Sequence, residues 1–158
     1  MNIRGVFHAL PPSVFGSRIR TRDDLAAFVR GTHAIAASDR LDIADAADGL
    51  TALCERLELH GAMGRQPLAI PGTVTADYLP AYRLPALADR IDAVTPGTLA
   101  AAIGSLGTHP LARDSHWIAD KGGLARLFLQ LKRFHRNCAT QRADVLFVQH
   151  AAPDGAEG

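Results

Sequence analysis

The chain has 158 residues, of which 47% are apolar, 21% charged and 6% aromatic, and its formal net charge is +1. That length suits one domain whose core needs neither disulfides nor a structural metal. A net charge so close to zero excludes a global pull toward nucleic acid or an anionic membrane.

Ile3 to Leu10 predicts a strand carrying Val6, Phe7 and Leu10. Pro11-Pro12 end it, because proline cannot donate to a ladder. Thr21 to Arg30 predicts a short helix. Thr21-Arg22-Asp23-Asp24 resembles a capping box with Asp in place of Glu, Leu25, Phe28 and Val29 form its stripe, and Gly31 suits the position after its end. Asp42 to Leu59 predicts a second helix, with Ile43, Ala46, Ala47, Leu50, Leu53, Cys54 and Leu57 at helical spacing. Acids crowd its first turn, Gly61 closes it, and Gly49 within it costs roughly 1 kcal/mol relative to Ala.

Residues 61–94 are rich in Gly and Pro and lack a sustained period. They predict a long ordered loop with short extended pieces such as Pro80 to Leu84. Thr95-Pro96 opens a third helix, with Thr as N-cap and Pro in the first helical position. Leu99, Ala102, Ile103 and Leu106 face inward, and Gly107 ends it. Residues 108–122 form a second loop holding His109, Pro110, His116 and Trp117. The last helix, Gly123 to Cys138, aligns Leu124, Leu127, Phe128, Leu131, Phe134 and Cys138. Val145 to Val148 then predicts a strand, central if it is buried on both sides. Residues 151–158 read as a flexible tail.

Charge is unevenly spread. Residues 38–60 carry a net −4, whereas residues 121–142 carry +6 and no acid. These two segments either face each other or face different partners. Cys54 and Cys138 fall on apolar helix faces and read as buried reduced thiols. No apolar run approaches the roughly 20 residues that span a bilayer, and the N-terminus lacks a signal-peptide pattern. The expected location is cytoplasmic.

Four features in their order carry a family resemblance. They are the N-terminal strand Asn2-Ile3-Arg4-Gly5-Val6-Phe7, the acidic segment Leu41-Asp42-Ile43-Ala44-Asp45-Ala46-Ala47-Asp48-Gly49-Leu50, the helix start Val94-Thr95-Pro96, and the closing helix–strand unit Leu127 to Val148. In this order the chain resembles the YfbM-like family of small bacterial proteins of unknown function. It departs from the family pattern at Ala47, where the family tends to have Trp, and in lacking an aromatic-Pro pair before the last helix. The resemblance implies a compact α+β domain in bacterial cytoplasm and brings no catalytic residues with it.

Candidate chemistry is sparse. Adjacent members of the series Asp39, Asp42, Asp45 and Asp48 share a helix face, and two such carboxylates can bind Mg²⁺ or Ca²⁺. Helix-dipole complement is the plainer reading, with Asp48 the best exception. His8, His33, His60, His109, His116, His135 and His150 show no His-x-x-x-His spacing, so no metal or other cofactor is expected; His109 and His116 share a loop and can converge. His135 and Cys138 are three apart, but a thiol on an apolar stripe is inert. The basic residues Arg126, Lys132, Arg133 and Arg136 lack the broad face and interleaved aromatics of a nucleic-acid binder. Pairing with the acidic helix, or with an acidic protein, fits them better. Nucleotide-binding and nucleophile-elbow motifs are absent.

The sequence therefore predicts one α+β domain over residues 1–150. Its N- and C-terminal strands share a small sheet with three to four helices packed on it. Two functional classes follow. The first is a non-enzymatic protein-binding or accessory module of the immunity type, without membrane or nucleic-acid contact. The second is a hydrolase or transferase whose site forms where residues 61–94 and 108–120 meet, lined by Tyr78, Tyr82, Arg83, His109, His116 and Trp117. Oligomeric state is left open.

Overall fold

The computed structural model describes residues 3–10, 20–30 and 40–151. Its centre is the pairing of the two terminal strands, β1 (Ile3–Leu10) and β5 (Asp144–Ala151), which run antiparallel with Phe7 opposite Phe147. β2 (Arg40–Asp42) lies outside β1. β4 (Thr75–Leu79) lies outside β5, and β3 (Gln66–Pro67) outside β4. The order is β2-β1-β5-β4-β3, every neighbouring pair antiparallel. The terminal strands thus share one sheet, as expected, and β5 holds its middle. Successive side chains on a strand point to opposite faces. Val145 and Phe147 join one core cluster with Phe7 and Ala9, whereas Leu146 and Val148 join another with Leu10, Leu25 and Phe28. Burial on both faces explains the unbroken apolar run of β5.

Among the described residues, five α-helices surround the sheet. α1 (Arg22–Arg30) contributes Leu25, Ala26 and Phe28 to the smaller cluster. Its capping box is as read: Asp24 N–H donates to Thr21 Oγ1 at 3.0 Å, and Asp24 Oδ2 accepts from Thr21 N–H at 3.2 Å. α2 (Ala47–Arg56), α3 (Leu84–Asp92), α4 (Pro96–Gly104) and α5 (Lys121–Gln141) supply the larger cluster. Cys54 and Cys138 are both buried, and burial pushes the Cys54 thiol up to about 12.

Several expectations are corrected. The acidic helix begins at Ala47, not Asp42. Residues Arg40–Asp42 are strand β2, and Ile43 N–H continues the pairing by donating to the Gly5 carbonyl at 2.9 Å. Asp42 Oδ1 then accepts from Ala44 N–H at 2.8 Å, and Ala44 takes φ 51°. Long-range pairing with β1 overrides helical spacing here. The same helix ends well before Gly61. Glu58, at φ 57°, closes it, with Leu59 N–H donating to the Cys54 carbonyl at 2.8 Å and Glu58 N–H to the Glu55 carbonyl at 3.1 Å, which is a Schellman closure.

Residues 61–94 are not one long loop. They hold β3, β4, a 3₁₀ turn at Ala81–Arg83 and α3. Pro80 to Leu84 is not extended; Pro85 stands in the first turn of α3, and Leu84, Leu87, Ala88 and Ile91 form its buried stripe.

Another correction concerns charge. Arg136 of α5 donates to Asp89 at 2.7 Å and to Asp92 at 2.5 Å on α3, so among the described residues the basic helix pairs with α3. The helix opened by Thr95-Pro96 is shorter than read, ending at Gly104 before a 3₁₀ turn at Leu106–Thr108, and the last helix is longer, running from Lys121 to Gln141 with Arg142 at φ 55° beyond it. Pro11, Pro12, Gly31, His33, Asp39 and residues 152–158 lie outside the described residues. Among the described residues no helix is long and apolar enough to cross a membrane.

Candidate functional site

The polar residues singled out by sequence fall in separate places. Asp45, in the turn before α2, ties down the loop ahead of α5. Its Oδ2 lies 2.8 Å from His116 Nε2, and its Oδ1 accepts from Trp117 Nε1–H at 3.0 Å. Ser115 Oγ caps the His116–Ile118 turn by accepting from Trp117 N–H at 3.2 Å. The Trp117 ring lies against α5 where only glycine fits: a Cβ on Gly123 would stand 2.9 Å from Trp117 Cζ3. Burial opposes ionisation of Asp45, but the hydrogen bonds from His116 and Trp117 and the charge of His116 hold its carboxyl below the usual value.

His109 forms a second tie. Its Nε2 lies 2.6 Å from Glu55 Oε2 on α2, while its Nδ1 accepts from Leu111 N–H at 3.1 Å. With Nδ1 accepting, the proton of the neutral ring belongs on Nε2, facing Glu55. Asp48 is exposed in the first turn of α2, where its charge complements the dipole.

Tyr78, on β4, is half-buried. Burial and a hydrogen bond with Asp144 push its hydroxyl pKa up. Tyr82 is 75% exposed, with the Arg83 guanidinium 5.5 Å from its ring centre. Tyr82 and Arg83 line a cleft of about 450 Å³ together with His60, Arg65 and Arg90, over a floor that includes Leu79 and Leu87. The polar contacts of His109, His116 and Trp117 run instead to Glu55 and Asp45. Among the described residues no group of three or more His, Cys, Asp and Glu could hold a metal ion.

A second concavity was not anticipated. α4 and α5 enclose a groove of about 380 Å³ lined by Pro96, Leu99, Ala100, Ile103, Gly122 and Ala125. α4 forms as the sequence directs: Thr95 Oγ1 accepts from Thr98 N–H at 3.1 Å, and Pro96 takes the first turn. Only Ile103 of its nine residues is buried, although none is charged. Leu129, one turn beyond Ala125 on α5, is 46% exposed. Arg126 and Arg133 are exposed on the same helix. The signal was available in Pro96-Gly-Thr-Leu-Ala-Ala-Ala-Ile-Gly104, a helix without a polar face.

No family model and no curated protein matches the chain. Among solved structures, the crystal structure of YfbM from Escherichia coli, described as a protein of unknown function, is similar with a TM-score of 0.58 and 17% sequence identity. The likeness covers 94% of this chain and 99% of that one. Identity this low carries architecture and not activity. The resemblance read in the sequence therefore holds for the fold, and the chain is an α+β domain with a fold similar to that of YfbM.

Proposed function

We propose that the protein is a non-enzymatic binding module whose contact surface is the α4–α5 groove. The observation that carries this reading is α4 itself, an uncharged helix that lies mostly exposed. A surface helix ordinarily turns a polar face to water, and contiguous exposed apolar surface marks an interaction site. The groove lining is almost wholly carbon, Leu129 extends it along α5, and Arg126 and Arg133 bring positive charge nearby. Residues 121–142 contain no acid. A second copy would bring like charges together, so the fitting occupant is a segment of another protein with apolar anchors and acidic neighbours. The roles of the polar loop residues agree with this. His109 ties its loop to α2, and His116 and Trp117 tie theirs to the turn before α2.

A photoreactive residue placed at Leu129 in living host cells tests the proposal, with the same residue at Arg113 as the control. One crosslinked protein is expected from Leu129, with none from Arg113, and it should be lost on Arg126→Glu/Arg133→Glu. Equal yields at the two positions overturn the reading. A crosslink to a second copy of the chain also overturns it, assigning the groove to self-association.

A further inference from the structure

We infer that the cleft beside α3 is a binding site for a phosphate-bearing small molecule. The inference stands apart from the α4–α5 groove and uses different residues. Three arginines, Arg65, Arg83 and Arg90, together with His60, line one concavity. Among the described residues that line it there is no carboxylate. Some arginines elsewhere meet acids: Arg136 meets Asp89 and Asp92, and Arg4 meets Asp42 at 3.1 Å. Gathering like charges costs free energy, which an anion on the site recovers.

The arginines are also held by contacts that leave their charge uncompensated. Arg90 Nη2 donates to the Glu58 carbonyl at 2.6 Å, a neutral acceptor fixed by the left-handed closure of α2. Arg83 stands over the Tyr82 ring. The alkyl stem of Arg65 crosses Gly61, which adopts φ 88°; a Cβ there would lie 2.9 Å from Arg65 Cγ and Cδ. Three separate local devices thus position three cations on one hollow. Preorganised donors lower the cost of binding.

The charge count selects the ligand. One carboxylate would neutralise one of three guanidiniums. A phosphate monoester is close to dianionic at neutral pH and presents three terminal oxygens that guanidinium forks can share. A cleft of about 450 Å³ exceeds a bare phosphate, and its Leu79 and Leu87 floor suits the organic part of the molecule. Tyr82, 75% exposed, stands at the cleft as an aromatic wall.

The test is a titration of the full chain with phenyl phosphate, inorganic phosphate and benzoate at constant ionic strength, followed through the arginine side-chain NH resonances. Saturable binding is expected, phenyl phosphate tightest and benzoate weakest, with shifts confined to Arg65, Arg83 and Arg90. Arg65→Gln/Arg83→Gln should weaken phenyl phosphate by at least about tenfold. These side chains are exposed, so the melting temperature should hold. Arg83→Lys, which keeps the charge and loses the fork, should fall between wild type and the double variant. Shifts that never saturate, or undiminished affinity in a double variant that melts normally, overturn the inference. So does an order in which a single-stranded oligonucleotide binds while phenyl phosphate does not, since that assigns the arginines to a polyanion.

Discussion

α4 and α5 pack against each other yet follow opposite rules. α5 buries Leu124, Phe128, Leu131 and Cys138 almost completely and turns Arg126 and Arg133 outward, with Arg136 on Asp89 and Asp92. α4 buries Ile103 and shows Gly97, Ala100, Ala101 and Gly104 to solvent with no charge at all. Packing accounts for most of the sequence of α5, the exposed Leu129 beside α4 excepted. It does not account for α4, whose outward residues are apolar where stability alone would accept Lys or Glu. The contrast teaches where to look for function: in the element whose composition its own fold does not require.

The largest expected effect tests whether that contrast is energetic. Leu131→Ala on α5 should cost about 2–5 kcal/mol, since its side chain is fully buried and leaves a cavity. Leu99→Ala on α4, half-exposed, should cost about 1 kcal/mol. Urea unfolding midpoints measure both. Equal losses would make α4 an ordinary core helix and dissolve the comparison.

The next effect is in pH. The sheet and α5 each hold a buried histidine, His8 and His135, whereas α4 carries no titratable group. Burial lowers both pKa values, joined at His8 by the charges of Arg40 and His150 and opposed at His135 by the Leu131 and Ala62 carbonyls; His8 falls from 6.5 to about 4. The unfolded chain therefore binds a proton at His8 below pH 6.5 that the folded chain refuses. Stability is full above 6.5, falls as pH drops from there, and levels off near 4, a loss of about 3 kcal/mol. His8→Leu should remove that part of the slope whatever it does at pH 7.5. An unchanged slope would mean that His8 is not held neutral.

Much of the fold was legible because its signals are local. The terminal strands, the Thr21–Asp24 box, the Thr95-Pro96 start and the α5 stripe all read correctly from neighbouring residues. Most of what failed depends on partners distant in sequence. Arg40–Asp42 looks like the start of an acidic helix until Gly5 takes up the Ile43 backbone. α3 was hidden by Pro80 and Pro85, which read as breakers although Pro85 is tolerated in a first helical turn. The candidate residues dispersed for the same reason. His109, His116 and Trp117 find carboxylates more than fifty positions away, and no spacing within their own loop announces that. Tyr82 and Arg83 were named, but their companions His60, Arg65 and Arg90 needed the α2 closure and α3 to be seen.

Two smaller effects return to α4. Thr95→Ala removes the acceptor of Thr98 N–H and should cost about 1 kcal/mol. The loss should appear as faster amide exchange at Thr98 and Leu99, because a helix with one buried side chain leans on its cap. Exchange that quickens equally along α5 would show instead that the two helices open as one unit.

Ala100→Lys should do least to stability and most to binding. Ala100 is exposed, and lysine is among the better helix formers, so the change should stay within about 0.5 kcal/mol. Yet the substitution places a long cationic side chain in a groove otherwise lined by carbon. If the groove receives apolar anchors, the crosslink from Leu129 should disappear in the Ala100→Lys background while the melting temperature holds. A variant that loses stability by more than about 1 kcal/mol would show that the groove is closed from within and belongs to the core. A variant that melts normally and still crosslinks would show that the partner touches α5 without entering the groove, and α4 would then need another explanation for its missing charge.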